Sequence, residues 1–320
     1  MAVLTLADYS ASPKPLISGV ADVLRDASKL MDILPFANVG ALSVQVIREA
    51  GLPSVSWRRA GEDHGSSKGR VDLVQETAFS FGNYIDVDKM YVKNSNTLYD
   101  ARSLWTKQAV KSMAFAFNDK FITGNPEVDP DAITGINYRI QKDHSANKIA
   151  GAGLDISPDA AALAANTQTF FDFLDQLLYD MPEGGSKYLI TNKTLLMRYW
   201  SLARQAGVLS VTKDQLGREL YQYKNATFID AGYKSDQTTQ IIGNVENANG
   251  TTLTGGACTS IYGVTVGQEF LTGWQEYGLE VDDAGLLEDR VTYRTVIDWV
   301  IGLAVTHPRS LYQLHGIVAA

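Results

Sequence analysis

Gly65-Ser66-Ser67-Lys68-Gly69 fits the G-x-S-x-G pattern of a hydrolase nucleophile. That chemistry needs the serine on a sharp turn between a strand and a helix, with a base in reach. Here an alternating, strand-like run follows Gly69, so the segment reads as a loop tip. An α+β hydrolase using Ser67 is kept as the enzymatic alternative. The four histidines, His64, His144, His307 and His315, include no i, i+4 pair, and Cys258 is the only cysteine. A zinc site needs several convergent nitrogen and sulfur ligands, so no metal is expected. Asp129 and Asp131 lie in an acidic loop, Asn125 to Ile136, that lacks the glycine and distal glutamate of a calcium loop. No phosphate-binding loop or dinucleotide fingerprint occurs, so no cofactor is expected. A lone cysteine forms no disulfide within the chain, so stability must come from packing or assembly. With no catalytic constellation in view, the chain reads as a non-enzyme.

The elements around these residues belong to a folded α+β protein. The chain has 320 residues, 45% hydrophobic and 20% charged, which excludes wholesale disorder and fibrous repeats. No run of eighteen apolar residues occurs, so no membrane span is expected. The longest apolar stretch, Val296 to Val305, is broken by Asp298. A net charge of −8 argues against a protein that reads nucleic-acid sequence through a basic face. Met1 to Asp8 has no basic-then-apolar signal pattern, so Asn-x-Thr triplets such as Asn192-Lys193-Thr194 read as chance matches to the glycosylation pattern.

Residues 1–15, with Pro13 and Pro15, predict an extended arm. The spacing of Val20, Val23, Leu24, Ala27, Leu30, Met31 and Leu34 predicts one amphipathic helix, ended by Pro35. Val55 to Arg59 and Arg70 to Val92 read as strands around a polar, glycine-rich loop, a long hairpin. Thr97-Leu98-Tyr99-Asp100 resembles a capping box opening a long helix that Gly124 stops. Its expected buried face is Leu98, Ala101, Trp105, Ala109, Met113 and Ala116. Residues 141–156 read as loop. A helix beginning at Ser157-Pro158-Asp159 carries Phe170, Phe171, Leu174, Leu177, Leu178 and Met181 on one face. Strand Tyr188-Leu189-Ile190 leads into a helix with Leu195, Leu196, Tyr199, Leu202, Ala203 and Ala206, capped by Gly207. Short strands and a Thr/Asn/Gly-rich loop fill 208–268. Residues 291–301 alternate as one long twisted strand, and Leu311 to Val318 supply another.

This order of elements resembles the tailed-bacteriophage major capsid proteins of the Hong Kong 97-type fold. Several segments carry the likeness. Phe117-Asn118-Asp119-Lys120-Phe121-Ile122-Thr123-Gly124 followed by Asp131-Ala132-Ile133-Thr134-Gly135-Ile136 is similar to the family's junction after the spine helix. Tyr188 to Thr194 resembles its strand-to-helix turn. Gly263-Val264-Thr265-Val266 resembles a family strand, with Thr265 where the family has proline. Glu288 to Trp299 and Ala304 to Gly316 resemble the closing strands.

The resemblance implies an N-terminal arm (1–48), an E-loop hairpin (49–85), a P-domain of spine helix and long strands (86–140 with 270–320) and an A-domain (141–269). It implies pentamers and hexamers of this chain forming an icosahedral head. That head would enclose double-stranded DNA without sequence-specific binding, with no membrane involved. Implied partners are the chain itself, a separate scaffolding protein, a portal and a decoration protein. The implied location is the virion capsid, assembled in the host bacterial cytoplasm. An encapsulin-type nanocompartment shell is the structural alternative. Some relatives join a hairpin lysine to a neighbour's asparagine; Asp282 to Thr295 holds no asparagine for Lys68, so a non-covalent shell is expected. In the family arrangement the hairpin lies across a neighbour. Arg58, Arg59, Lys68 and Arg70 on the hairpin would then meet Asp282, Asp283, Glu288 and Asp289 before the terminal strand.

Overall fold

The computed structural model describes residues 3–93, 101–159, 163–208, 210–213 and 217–319. The chain opens with β1 (Val3–Leu4) and α1 (Leu6–Ser10), then α2 (Pro15–Ala27), α3 (Lys29–Ile33) and β2 (Phe36–Asn38). A hairpin follows, β3 (Ser43–Gly51) and β4 (Arg70–Thr77), then β5 (Phe79–Ser80), β6 (Asn83–Asp88) and α4 (Lys89–Lys93). The long helix is α5 (Ala101–Thr123), followed by α6 (Ile136–Lys142) and β7 (Lys148–Asp155). Next come α7 (Leu163–Asp180), β8 (Ser186–Thr191), α8 (Lys193–Ala206), β9 (Ser210–Lys213), β10 (Glu219–Tyr223) and β11 (Ala226–Asp230). The chain closes with β12 (Thr259–Val266), β13 (Leu271–Gln275), β14 (Glu280–Leu286), β15 (Thr292–Asp298), β16 (Val300–Val305) and β17 (Leu311–Val318).

One large mixed sheet runs β1-β2-β13-β12-β8-β11-β10-β9, and β16, β5, β17 and β7 branch from it. A three-stranded sheet, β14-β15-β6, lies beside α5, and β3 pairs only with β4. The first core joins the N-terminal helices to α5 and the terminal strands, through Leu24, Met31, Phe117, Phe121 and Trp299. A second packs α7 and α8 together on one face of β8, β11, β12 and β17, with Phe171 and Tyr199 in contact between the two helices. A small third cluster, Val46, Ala78, Trp274, Val300 and Ala304, lies under the root of the hairpin.

Several sequence expectations change. Residues 1–15 are not extended throughout: β1 joins β2, and α1 forms with Asp8 Oδ2 accepting from Thr5 N at 2.7 Å while Leu6 is buried. The expected single helix over 16–34 breaks at Ser28. Its Oγ accepts from Met31 N at 3.0 Å and donates to Asn118 Oδ1 of α5 at 2.5 Å, so it caps α3 and ties it to the long helix. These helices close the chain's own core. The first hairpin strand is β3, upstream of Val55 to Arg59, and 52–69 carry no strand. The capping box at Thr97 to Asp100, and Leu98 with it, lies outside the described residues.

On α5 the buried face is Val110, Met113, Ala114, Phe117 and Phe121, whereas Ala116 is exposed. Trp105 and Ala109 pack against this core as expected, but Ala116 stands about 60° to the far side of Met113 from Val110 and Phe117, so a face extended through it runs off the core. Residues 141–156 hold the end of α6 and all of β7. That strand reads Ile149-Ala150-Gly151-Ala152-Gly153, with little apolar alternation to reveal it. The single long strand over 291–301 is two strands in different sheets, which part at Trp299. Asp282 and Asp283 stand in β14 and not in a turn. The expected faces of α7 and α8 are buried apart from the exposed Ala206, and Gly207 caps α8 at φ 71°. Gly124 and Gly135 touch: a Cβ on Gly135 would lie 2.5 Å from Gly124 N, which is why the loop after α5 needs glycine at both ends.

Candidate assembly surface

The hairpin leaves the body as a two-stranded sheet with register from Ser43↔Thr77 to Gly51↔Arg70. Such a pair is marginal alone in water and gains stability from packing on something else. Its loop exposes large apolar side chains: Leu52 is 82% exposed, Val55 93% and Trp57 104%. Ile47, Val71 and Leu73 are exposed on the strands. Exposed apolar clusters of this size mark sites of association.

Polar contacts shape the loop from within. Arg58 donates from Nε to His64 Nε2 at 3.0 Å and from Nη1 to Glu62 O at 2.8 Å. Arg59 N donates to Glu62 Oε2 at 3.1 Å. Ser67 Oγ accepts from Ser54 N at 2.9 Å, and β4 follows it where a nucleophile elbow has a helix. The Ser67 hydrolase reading therefore lacks the backbone it requires. Arg70 lies 3.6 Å from Asp72 of its own strand, and Lys68 is exposed.

The acidic group is divided. Asp283 accepts from Arg102 Nη2 and, at 2.7 Å, from Gly285 N; the guanidinium holds its carboxyl below the usual range. Asp289 Oδ1 accepts from Val291 N at 2.9 Å and Thr292 N at 3.0 Å, and hydrogen bonds from Thr292 lower its carboxyl. These two shape their own turns. Asp282 and Glu288 are exposed. Within the chain the structure does not bring the hairpin cations and the acidic group together.

Sequence reasoning missed two parts of this surface. One is the apolar loop residues Leu52, Val55 and Trp57, whose alternation with Ser54 and Ser56 reads as a strand and not as an exposed apolar cluster. The other is the root of the hairpin, where Arg48 and Glu76 are buried charges on facing strands. A single charge at an inward strand position is no signal until burial is known. Among the described residues, no group of three or more His, Cys, Asp or Glu could hold a metal ion. No described helix is long and apolar enough to cross a membrane.

A family model described as "Major capsid protein GP7" matches residues 12–173, just over half of the chain. The match spans α2, α3, the hairpin and the long helix and reaches into α7. Solved structures share the fold over nearly the whole length. The SrpI encapsulin of Synechococcus elongatus is similar at TM-score 0.59 and 13% identity, covering 100% of this chain and 98% of that one. The capsid of a native GTA particle is similar at 0.60 and 14%, covering 92% and 91%. Mycobacterium phage Bobi gives 0.54 and 12%, covering 90% and 89%. None of the curated proteins matches the sequence. The architecture is the Hong Kong 97-type α+β fold.

Proposed function

The chain belongs to the family of major capsid protein GP7, and from that premise we propose that its hairpin is the element that joins subunits into a closed shell. A major capsid protein associates with itself, and its place is the virion capsid. Pentamers and hexamers build an icosahedral head in the host bacterial cytoplasm, around double-stranded DNA held by enclosure. A separate scaffolding protein, a portal and a decoration protein complete the partner set. The observation that carries the reading is the hairpin itself, a detached two-stranded sheet presenting Leu52, Val55 and Trp57. The cations beside these residues, Arg58, Arg59, Lys68 and Arg70, would face a neighbour's acids. Asp282 and Glu288 are the acids still available for that pairing; Asp283 and Asp289 are engaged at home. The division into arm, hairpin, P-domain and A-domain belongs to the same proposal.

One observation favours a second reading: an encapsulin chain is covered almost completely. Particle contents separate the two. Purified particles are treated with nuclease and their contents extracted. Protected double-stranded DNA supports the head reading, whereas nucleic-acid-free shells with a co-purifying enzyme support the nanocompartment.

A further inference from the structure

Each strand of the hairpin is fixed at its root by a buried charge. On β4, Glu76 takes a two-pronged contact from Arg139 of α6: Nη1 donates to Oε1, and Nη2 to Oε2 at 2.8 Å. Arg139 also donates from Nη2 to Leu303 O of β16 and from Nε to Thr134 O, both at 3.1 Å. On β3, Arg48 Nε donates to Val305 O at 3.3 Å, and its Nη1 lies 3.6 Å from Asp143. Glu76 is 8% exposed and Arg139 4%. His144 is buried beside this group, and both its Nε2 and Arg48 Nη2 lack hydrogen-bond partners.

A buried ion pair adds little net stability over an apolar pair of the same size, yet a two-pronged fork tolerates few geometries. The apolar part of the root is small, mainly Val46 and Ala78 on Trp274, Val300 and Ala304. Side chains of that kind could slide over one another. The fork cannot turn without leaving a buried charge unpaired. We propose that Glu76 and Arg139, assisted by Arg48, are positioning residues that set the angle at which the hairpin leaves the body. That angle decides where Trp57 meets a neighbour, so the proposal rests on the assembly reading of the hairpin.

Acid acts on the same root. The groups facing His144 are Arg48 from β3, Arg139 from α6 and Asp143 beside it; Glu76 closes the cluster from β4, and β16 offers only carbonyls. Burial first, then the Arg48 charge, push the His144 imidazole down to about 4. The closed root therefore holds a neutral ring. As pH falls below about 6.5, an opened root, in which His144 titrates normally, takes up a proton and gains population.

Hydrogen exchange read by mass spectrometry on the unassembled full-length chain tests this without reference to shells. In Glu76→Gln, amides of 43–51 and 70–77 exchange roughly 10-fold faster or more, while β12 and β17 keep their protection. The Glu76→Met with Arg139→Met double variant removes both charges. It melts no lower than the native chain, yet its hairpin exchanges faster. If Glu76→Gln does not fold, this double variant carries the test. In the native chain, hairpin exchange corrected for intrinsic rate rises between pH 6.5 and 4.5, and His144→Gln flattens the rise. Unchanged hairpin protection in the double variant would overturn the proposal. So would a loss of protection spread evenly over the molecule. An absence of shells would instead count against the assembly reading.

Discussion

Glu246 is 1% exposed where the 244–258 loop closes on the main sheet. Its Oε2 accepts from Ser260 Oγ, and its Oε1 has no partner. Burial pushes the carboxyl up to about 7, with the Ser260 hydroxyl pulling the other way. Because the folded value is raised, the stability tied to the neutral acid is full below about 4.5 and is lost as pH rises through about 7. The loss is on the order of 3 kcal/mol. His315, whose Nδ1 contacts Ala248 O of the same loop at 2.7 Å, works in the opposite sense, since burial lowers its value. Glu246→Gln therefore isolates the acid: the stability difference between variant and native chain, from denaturant melts at pH 4 to 8, should grow in the variant's favour with pH. A constant difference would refute the assignment. At Gly135 the issue is space. Gly135→Ala sets a Cβ against Gly124 N and the Ile122 and Lys120 carbonyls, and should cost about 1–3 kcal/mol in the same melts.

The N-terminal helices show how an element can be legible and its role not. The heptad-like spacing of Val20, Leu24, Leu30 and Met31 announced a helical face. It did not show that the face lies on this chain's own α5. Leu24 and Leu30 are fully buried with Phe117 and Phe121, so Leu24→Ala should cost about 2–5 kcal/mol by thermal or chemical melting. Removing residues 1–35 should yield aggregated or molten protein and not a soluble subunit that merely fails to assemble; near-native circular dichroism of the truncation would contradict this. Helices α7 and α8 were readable because one face meets one sheet. The β15–β16 run reads as one strand because alternation persists through Trp299 while the partner sheet changes. For β7, glycine and alanine erased the pattern. At the assembly surface the charges were visible in sequence, but which carboxylates are occupied was not. Asp283 is bound by Arg102, nearly two hundred positions away, and no local spacing encodes that contact.

At the scale of the whole molecule, the acidic chain holds itself together with separate cores and leaves one arm-like hairpin outside them. Opposite charges between subunits would add only about 0–1 kcal/mol per exposed pair, yet every subunit repeats the contact. Arg58→Glu with Arg59→Glu should lower assembly yield at low salt, as should Asp282→Arg with Glu288→Arg. Combining the reversals should restore part of the yield, whereas additive losses would mean that the clusters do not meet. Boiled, reduced particles should run at the single-chain mass, since 282–295 offer Lys68 no asparagine; a ladder of multimers would show covalent joining. The most direct test is electron cryo-microscopy of the assembled protein, read at residues 43–77. The expected result is rings of five and six copies in which Leu52, Val55 and Trp57 of each hairpin are buried on the adjacent subunit. Assemblies in which the hairpin folds back on its own body, or a chain that stays monomeric at every concentration and salt, would contradict it.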